Sequence, residues 1–285
     1  MRLVFLGTPE AAVPPLRALV DAGHDVVLVV TRADKRRGRG RDTSPSPVKA
    51  AALELGLPVS HKVDDVLDAG ASLGVVVAFG QIIKPHVLER VPMVNLHFSL
   101  LPRWRGAAPV ERAILAGDLE TGVGVMAVEE GLDTGGVYLQ DRVVIHPDET
   151  ADALRSRLVA VGTDLLVEAL SGPLGEPVPQ TGEPTYAAKV TPEDLALDWQ
   201  RPAAELARRP RVGKAWTTFR GRRLLVLAAR ALPAGPEPGA LDGTVVGTAV
   251  GGLELITVQP EGKAPLAATA WRNGARPAAG EHLGG

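Results

Sequence analysis

A short polar pattern, Asn95-Leu96-His97, ends an apolar run and is the first feature that could do chemistry. Side chains two positions apart on a β-strand point to one face, so Asn95 and His97 would present an amide beside an imidazole. The run gives way to Ser99-Leu100-Leu101-Pro102, and ligands of open α/β sheets bind at such carboxyl ends of strands. The alternative is a buried histidine that its neighbours satisfy.

A glycine-rich loop over residues 131–136 carries one acid, Asp133. The loop predicts one of two roles for Asp133. Its side chain could accept a hydrogen bond from the nearby backbone in a β-turn, or it could contact His97 from a neighbouring connection of the sheet. An amide, an imidazole and a carboxylate without a nucleophile suit direct acyl transfer. Asn95 and a protonated His97 can donate to the oxyanion of a tetrahedral intermediate. Asp133 would orient the imidazole and receive the proton that an attacking amine loses.

The elements that must position these residues alternate between Val-rich strands and helices. This pattern predicts an α/β domain with a Rossmann-like, mostly parallel sheet covered on both faces. A dinucleotide is not indicated, because the glycine fingerprint is missing after the first strand. The predicted strands are Leu3–Leu6, Asp25–Thr31, Gly74–Phe79, Pro92–His97, Gly124–Val128 and Val137–Val144, and the predicted helices are Val13–Asp21, Ser46–Leu55, Ala108–Ala116 and Thr150–Leu170.

The pattern changes after a Gly- and Pro-rich connecting segment over residues 171–200. The short strands that follow predict a small all-β, OB-like barrel. We therefore expect a catalytic domain over 1–200, which includes the connecting segment, and a second domain over 201–285. The strands predicted for this second domain are Trp216–Phe219, Arg223–Ala229, Gly243–Val246 and Leu253–Val258.

Composition narrows the class of protein. The 285 residues include no cysteine, which excludes disulfides, thiolate nucleophiles and zinc–thiolate sites. The apolar run before Gly7 is too short for a signal-peptide core, and no stretch approaches the length of a membrane span. A cytoplasmic protein without membrane contact is expected.

Charge is unevenly distributed along the chain, although the net charge is only −2. Residues 201–285 carry 12 Lys/Arg and 6 Asp/Glu, whereas residues 1–200 carry 19 and 27. A second basic element, residues 32–41, holds six Lys/Arg and one acid. Both basic elements indicate an anionic partner, and a solvated charge run is the alternative for each.

The motifs belong to longer stretches that resemble a known family. The strand-end pattern continues as Arg103-Trp104-Arg105-Gly106-Ala107-Ala108-Pro109, which is similar to the signature of folate-dependent formyltransferases. In this longer form it resembles the branch that formylates methionyl-tRNA. Asp133 falls in the Gly-Leu-Asp-Thr-Gly motif of the same family, and the resemblance runs from Gly7 to Lys263.

This resemblance implies a formyl donor, an acceptor and a set of site residues. The donor would be 10-formyltetrahydrofolate and the acceptor the α-amino group of charged initiator tRNA, for translation initiation, with no metal and on a monomer. Asn95, His97 and Asp133 would be catalytic. The residues implied for the folate site are Phe79, Gly80, Gln81, Ile82 and Ile83, which would hold the pterin ring through backbone groups, together with Ser99, Leu100, Leu101 and Pro102. An ordinary turn is the alternative for the first stretch.

The resemblance also assigns the basic elements to tRNA. Residues 32–41 are similar to the insertion that grips the acceptor end, and Arg39 is the strongest candidate within it. The run 207–216 looks shorter than is usual in the family, and the chain ends soon after Trp271. Both departures concern the C-terminal surface, and neither involves the catalytic residues. The implied tRNA contacts are Arg36, Arg37, Arg39, Arg41, Arg208, Arg209, Arg211 and Lys214.

Three alternatives remain open at this point. The amine could belong to glycinamide ribonucleotide, although such relatives usually lack a C-terminal barrel. It could belong to an amino sugar, although a sugar enzyme would not need the 32–41 loop. The chain could also be a catalytically inactive RNA-binding protein, which the intact Asn95, His97 and Asp133 argue against.

Overall fold

The computed structural model describes residues 1–36, 43–278 and 280–284. The chain divides into two compact units. The first comprises residues 1–110, 120–144 and 155–188, and the second comprises 111–119, 145–154 and 189–285. Among the described residues, no helix is long and apolar enough to cross a membrane.

The strands and helices are numbered in chain order. The strands are β1 Arg2–Gly7, β2 Asp25–Val30, β3 Lys35–Arg36, β4 Thr43–Ser44, β5 Val59–Ser60, β6 Leu73–Val77, β7 Met93–His97, β8 Arg105–Gly106, β9 Glu120–Ala127, β10 Val137–Val144, β11 Tyr186–Ala187, β12 Ala215–Phe219, β13 Arg222–Leu232, β14 Leu241–Asp242, β15 Val245–Gly247, β16 Gly252–Pro260 and β17 Leu266–Ala267. The α-helices are α1 Val13–Asp21, α2 Pro47–Glu54, α3 Pro85–Leu88, α4 Pro109–Ala116, α5 Ala151–Ala169, α6 Ala203–Leu206, α7 Arg208–Val212 and α8 Ala268–Ala275. Short 3-10 helices cover Glu10–Ala12, Val63–Asp68 and Glu193–Leu195.

The first unit is built on a sheet whose described strands lie in the order β10-β9-β7-β6-β1-β2-β5. The pairings from β5 to β7 are parallel, and β9 and β10 join antiparallel. Every residue of β6 is buried, as a strand covered on both faces requires. The predicted α/β class with a mostly parallel sheet is confirmed.

Two short ladders were not predicted. β3 pairs antiparallel with β4, and β8 pairs parallel with β11, with Arg105 opposite Tyr186 and Gly106 opposite Ala187. Two-residue strands have no periodicity to read, and β8 and β11 are far apart in sequence. The β8–β11 ladder reaches the candidate site, as described below.

The second unit contains a sheet in the order β12-β13-β16-β15-β14, with β17 added to β16. Its core includes Leu206, Val226, Leu255 and Trp271, and the Trp271 ring meets Phe219 edge-on with centroids 5.1 Å apart. Within the described residues the outer strands β12 and β14 do not pair with each other, so no closed barrel is found and an open sheet is observed.

The all-β prediction for the second domain was incomplete, because α6 and α7 precede its first strand and α8 follows its last. Arg208, Arg209 and Arg211 belong to α7 and not to a barrel strand. Pro210 also belongs to α7. It lies in the first turn of a five-residue helix, where a missing backbone N–H costs nothing.

Candidate active site

Asn95 and His97 lie on β7, between β6 and β9, with their side chains on one face as predicted. His97 is only 5% exposed, and Asn95 is half-buried. Within the described part of the chain, the Asn95 amide has no hydrogen-bond partner in the protein. It is therefore available to a bound molecule.

Asp133 meets His97 from the connection between β9 and β10. One carboxylate oxygen, Oδ2, lies 3.7 Å from His97 Nδ1 and accepts a hydrogen bond of 2.7 Å from the Gly106 backbone N–H. His97 Nε2 lies 2.9 Å from the Trp104 carbonyl oxygen. Because a carbonyl can only accept, Nε2 carries a proton, and Nδ1 is left facing the carboxylate. The structure thus brings together the imidazole and the acid that the sequence linked.

The stretch after β7 is folded back on itself. Ser99 is fully buried, and its hydroxyl donates to the Arg103 carbonyl over 2.6 Å. Leu101 is also buried, whereas Leu100 and Pro102 are half-buried. This turn places the Trp104 carbonyl against His97.

The stretch after β6 turns outward from the core. Phe79 and Ile83 are buried in one hydrophobic cluster, while Gly80, Gln81 and Ile82 between them are exposed, Ile82 to 89%. The positive φ of Gly80, +66°, helps to make this turn, and Arg32 donates a hydrogen bond to its carbonyl. Because β6 and β7 are adjacent and parallel, this stretch and Ser99–Pro102 follow the same edge of the sheet. A planar ligand could bind to the exposed backbone there.

Metal ligands are not grouped at this site. Within residues 1–36, 43–278 and 280–284, no three His, Asp or Glu side chains are placed to hold a metal ion.

Comparison with known proteins identifies the family. A family model described as "Formyl transferase" matches residues 1–170, and one described as "Formyl transferase, C-terminal domain" matches residues 189–276. The chain belongs to the formyl transferase family. It is an enzyme of formyl transfer.

Individual relatives agree with this assignment. The chain is 45% identical to a methionyl-tRNA formyltransferase of Symbiobacterium thermophilum, over 96% of this chain and 92% of the relative. Two solved structures share the fold. The sugar 3N-formyl transferase WlaRD has a TM-score of 0.69 at 15% identity and covers 93% of this chain and 99% of its own. A methionyl-tRNA formyltransferase from Clostridium thermocellum has a TM-score of 0.59 at 16% identity and covers 81% and 93%.

The basic loop of this formyl transferase is described only at its base. Arg36 pairs with Thr43 through the backbone of β3 and β4, and Arg37, Arg39 and Arg41 lie outside the described residues. Next to this ladder, Lys49 Nζ forms an ion pair of 2.7 Å with Asp34.

Three of the four arginine and lysine residues predicted for the second domain make contacts within their own unit. Arg208 Nη1 donates to the Ala116 carbonyl over 2.9 Å, and Arg209 Nε to the Asp194 carbonyl over 3.0 Å. Arg211 Nε donates to the Glu149 carbonyl over 2.9 Å, and burial lowers the pKa of Arg211 from its ordinary value. Lys214 is exposed.

Sequence reasoning gave no role to residues 180–187, which we call the bracing segment. Gln180 and Thr185 from this segment hydrogen-bond to the loops that carry Asp133 and Trp104. Both residues lie between the two family matches, in a connection without periodicity. Only the three-dimensional contacts reveal them.

Proposed function

We propose that this formyl transferase moves the formyl group of 10-formyltetrahydrofolate to the α-amino group of methionyl-tRNA, the charged initiator tRNA. The observation that carries the proposal is the His97–Asp133 pair beside the unpartnered Asn95 amide. The acceptor is inferred from relatives of that name, which align along nearly the whole chain. The enzyme would work as a monomer in the cytoplasm, where tRNA is charged and used for translation initiation.

The geometry supports direct attack of the amine. The amine nitrogen bonds to the formyl carbon, and the carbonyl oxygen becomes an oxyanion to which the Asn95 amide and a proton on His97 Nδ1 donate. Asp133 accepts the proton that the amine loses, directly or through water. Collapse breaks the bond to the folate nitrogen, which takes up a proton and leaves as tetrahydrofolate. Nε2 keeps its own proton on the Trp104 carbonyl.

The formyl donor would bind along the edge where β6 and β7 end. The exposed backbone of Gly80, Gln81 and Ile82, with Phe79 and Ile83 anchoring it in the core, would hold the pterin ring. Ser99, Leu100, Leu101 and Pro102 would line the formyl end. WlaRD, which shares the fold, was solved in the presence of 5-N-formyl-THF.

The tRNA would bind through both basic elements. Arg36, Arg37, Arg39 and Arg41 are proposed to contact the acceptor end. We propose a catalytic domain over residues 1–200 and an OB-like second domain over residues 201–285. In the second domain, the exposed Lys214 would contact a phosphate group. Arg208, Arg209 and Arg211 would stay hydrogen-bonded to their backbone carbonyls and contribute positive charge to the tRNA-binding surface.

One alternative acceptor has an observation in its favour. The fold of WlaRD, a sugar 3N-formyl transferase, covers nearly all of this chain. An amine on a nucleotide-linked sugar is therefore the second candidate.

The deciding experiment is a competition between amines. The full chain is mixed with 10-formyltetrahydrofolate and equal concentrations of methionyl-tRNA, glycinamide ribonucleotide and a nucleotide-linked amino sugar. Mass spectrometry then identifies the formylated product. We expect formyl-methionyl-tRNA, and no product with His97→Ala. Formylation of only a small amine would overturn the proposed acceptor, and no formylation at all would overturn the proposed function.

A further inference from the structure

Gln180 uses every hydrogen-bonding atom of its side chain at the site. Its Nε2 donates to the carbonyls of Asp133 and Gly135, each over 2.8 Å. Its Oε1 accepts from Arg105 Nε at 3.0 Å and from Nη2 at 2.7 Å. The amide orientation is fixed, because its donors face carbonyls and its acceptor faces a guanidinium.

Thr185 supports His97, the second residue of the His97–Asp133 pair, through Trp104. Its hydroxyl oxygen accepts from the Trp104 backbone N–H over 2.9 Å, and the Trp104 carbonyl in turn accepts from His97 Nε2. The Thr185 carbonyl accepts from the Arg105 backbone N–H over 2.8 Å. One segment of chain therefore reaches both partners of the catalytic pair.

The pair needs such support. Asp133 has φ +50°, a left-handed conformation that costs a non-glycine residue about 1–2 kcal/mol. The 3.7 Å between its Oδ2 and His97 Nδ1 is too long for a direct hydrogen bond that would align the two groups. Their positions are set by bonds to other groups, and the bracing segment supplies those bonds.

We infer that Gln180 and Thr185 are positioning residues, which hold Asp133 and His97 respectively in their reactive geometry. The inference rests on the proposed function for the reaction that it serves. Neither residue touches the substrate; both act through the catalytic pair. A misplacement of reacting groups by about 1 Å costs on the order of 10²-fold in rate.

The kinetic test uses isosteric variants. Gln180→Met keeps the volume and removes all four bonds, and Gln140→Met, at an exposed position on β10, is its control. We expect Gln180→Met to lower kcat about 10- to 100-fold with KM for both substrates within about threefold. Thr185→Val should act in the same way, and Thr185→Ser should restore the rate because it keeps the acceptor. A wild-type kcat in Gln180→Met would overturn the inference.

A double variant separates positioning from general support of the fold. If Gln180 acts through Asp133, then Gln180→Met in an Asp133→Ala background should lower kcat by less than about twofold further. If the two substitutions acted independently, their reductions of kcat would multiply, and that result would overturn the inference.

A measurement that does not depend on enzyme activity, hydrogen exchange, distinguishes this inference from the proposed function. Hydrogen exchange is followed by mass spectrometry for peptides that contain Gly106 and residues 131–136. Gln180→Met should speed exchange in both about tenfold or more, whereas Gln140→Met should leave it unchanged. Unchanged exchange in Gln180→Met overturns the bracing role. An inactive wild-type enzyme with the expected exchange pattern overturns only the proposed reaction.

Discussion

Backbone strain marks the candidate site at the scale of single residues. In the described part of the first unit, the non-glycine residues with positive φ are Ala78, Trp104 and Asp133. Ala78 directly precedes the proposed folate-binding stretch. The Trp104 carbonyl accepts a hydrogen bond from His97, and the Asp133 carboxylate faces the other ring nitrogen of His97. Such conformations persist only where the surroundings enforce them, and they cluster at sites that carry function. The strain and the proposed chemistry therefore coincide.

Asn95 offers a clean separation of catalysis from stability. Asn95→Ala should lower kcat about 10²–10³-fold, because it removes an oxyanion donor. Its effect on thermal unfolding should be small, since no described protein group loses a partner. Steady-state kinetics and a melting curve on the same preparation test this. Asn95→Asp should be at least as slow, because a carboxylate opposes the oxyanion, and an active Asn95→Asp enzyme would refute the role.

Gly106 lies where two backbones approach each other. A Cβ added at Gly106 would lie 3.0 Å from the Ala187 carbonyl oxygen, and its φ is +119°. Gly106→Ala should therefore cost about 1–3 kcal/mol of unfolding free energy. It should also reduce kcat, since the Gly106 N–H bonds Asp133. Urea unfolding measures the first effect, with Gly172→Ala as the control because nothing lies within 4 Å of that position. Equal stability of the two variants would contradict the packing argument.

At the scale of elements, the sequence predicted what periodicity encodes and missed what depends on distant partners. Helix α1 was predicted with its observed bounds, because an apolar stripe and Gly23 define it. The β8–β11 ladder could not be predicted, since two residues carry no period. Asn95 and His97 were found because alternation puts them on one face. Gln180 was missed because only its contacts single it out.

Arg208 in α7 and Lys214, which follows this helix, are expected to show opposite effects when substituted. Arg208 donates to the Leu115 and Ala116 carbonyls at the end of α4, so Arg208→Ala should destabilise the fold by about 0.5–1.5 kcal/mol through the loss of these hydrogen bonds. Lys214→Ala should change stability by less than about 0.5 kcal/mol, because Lys214 is exposed, and should instead weaken tRNA binding. Chemical unfolding and a filter-binding assay measure the two effects. The reverse pattern would show that Arg208 is the phosphate contact.

The ion pair between Arg220 and Glu281 ties the β12–β13 turn to the C-terminal segment. The Arg220 guanidinium, helped by the Ala278 N–H, lowers the pKa of Glu281 from 4.5 to about 2. A lowered folded-state pKa stabilises the protein above the unfolded value, and the contribution is lost as pH falls from about 4.5 towards 2. The Tm difference between wild type and Arg220→Ala should thus be constant above pH 5 and shrink below it. A difference independent of pH would contradict the pairing.

At the scale of the whole molecule, a chain with net charge −2 is proposed to bind a polyanion. This is possible because the charges are separated along the chain, with 12 Lys/Arg against 6 Asp/Glu in residues 201–285. Several of these cations are already used within the protein, such as Arg230 with Glu254 and Arg220 with Glu281. The number of phosphate contacts should therefore be well below the number of basic residues. Salt dependence measures that number.

We expect log kcat/KM for methionyl-tRNA to fall linearly with log salt concentration, while KM for the formyl donor changes little. Each lost phosphate contact should reduce the slope by about 1. Arg222 is exposed and lies 3.8 Å from Glu261, which leaves it accessible, so Arg222→Gln should flatten the slope. Lys62→Gln, at an exposed position in the acidic first 200 residues, should not. Equal slopes for the two variants would mean that Arg222 does not contact tRNA.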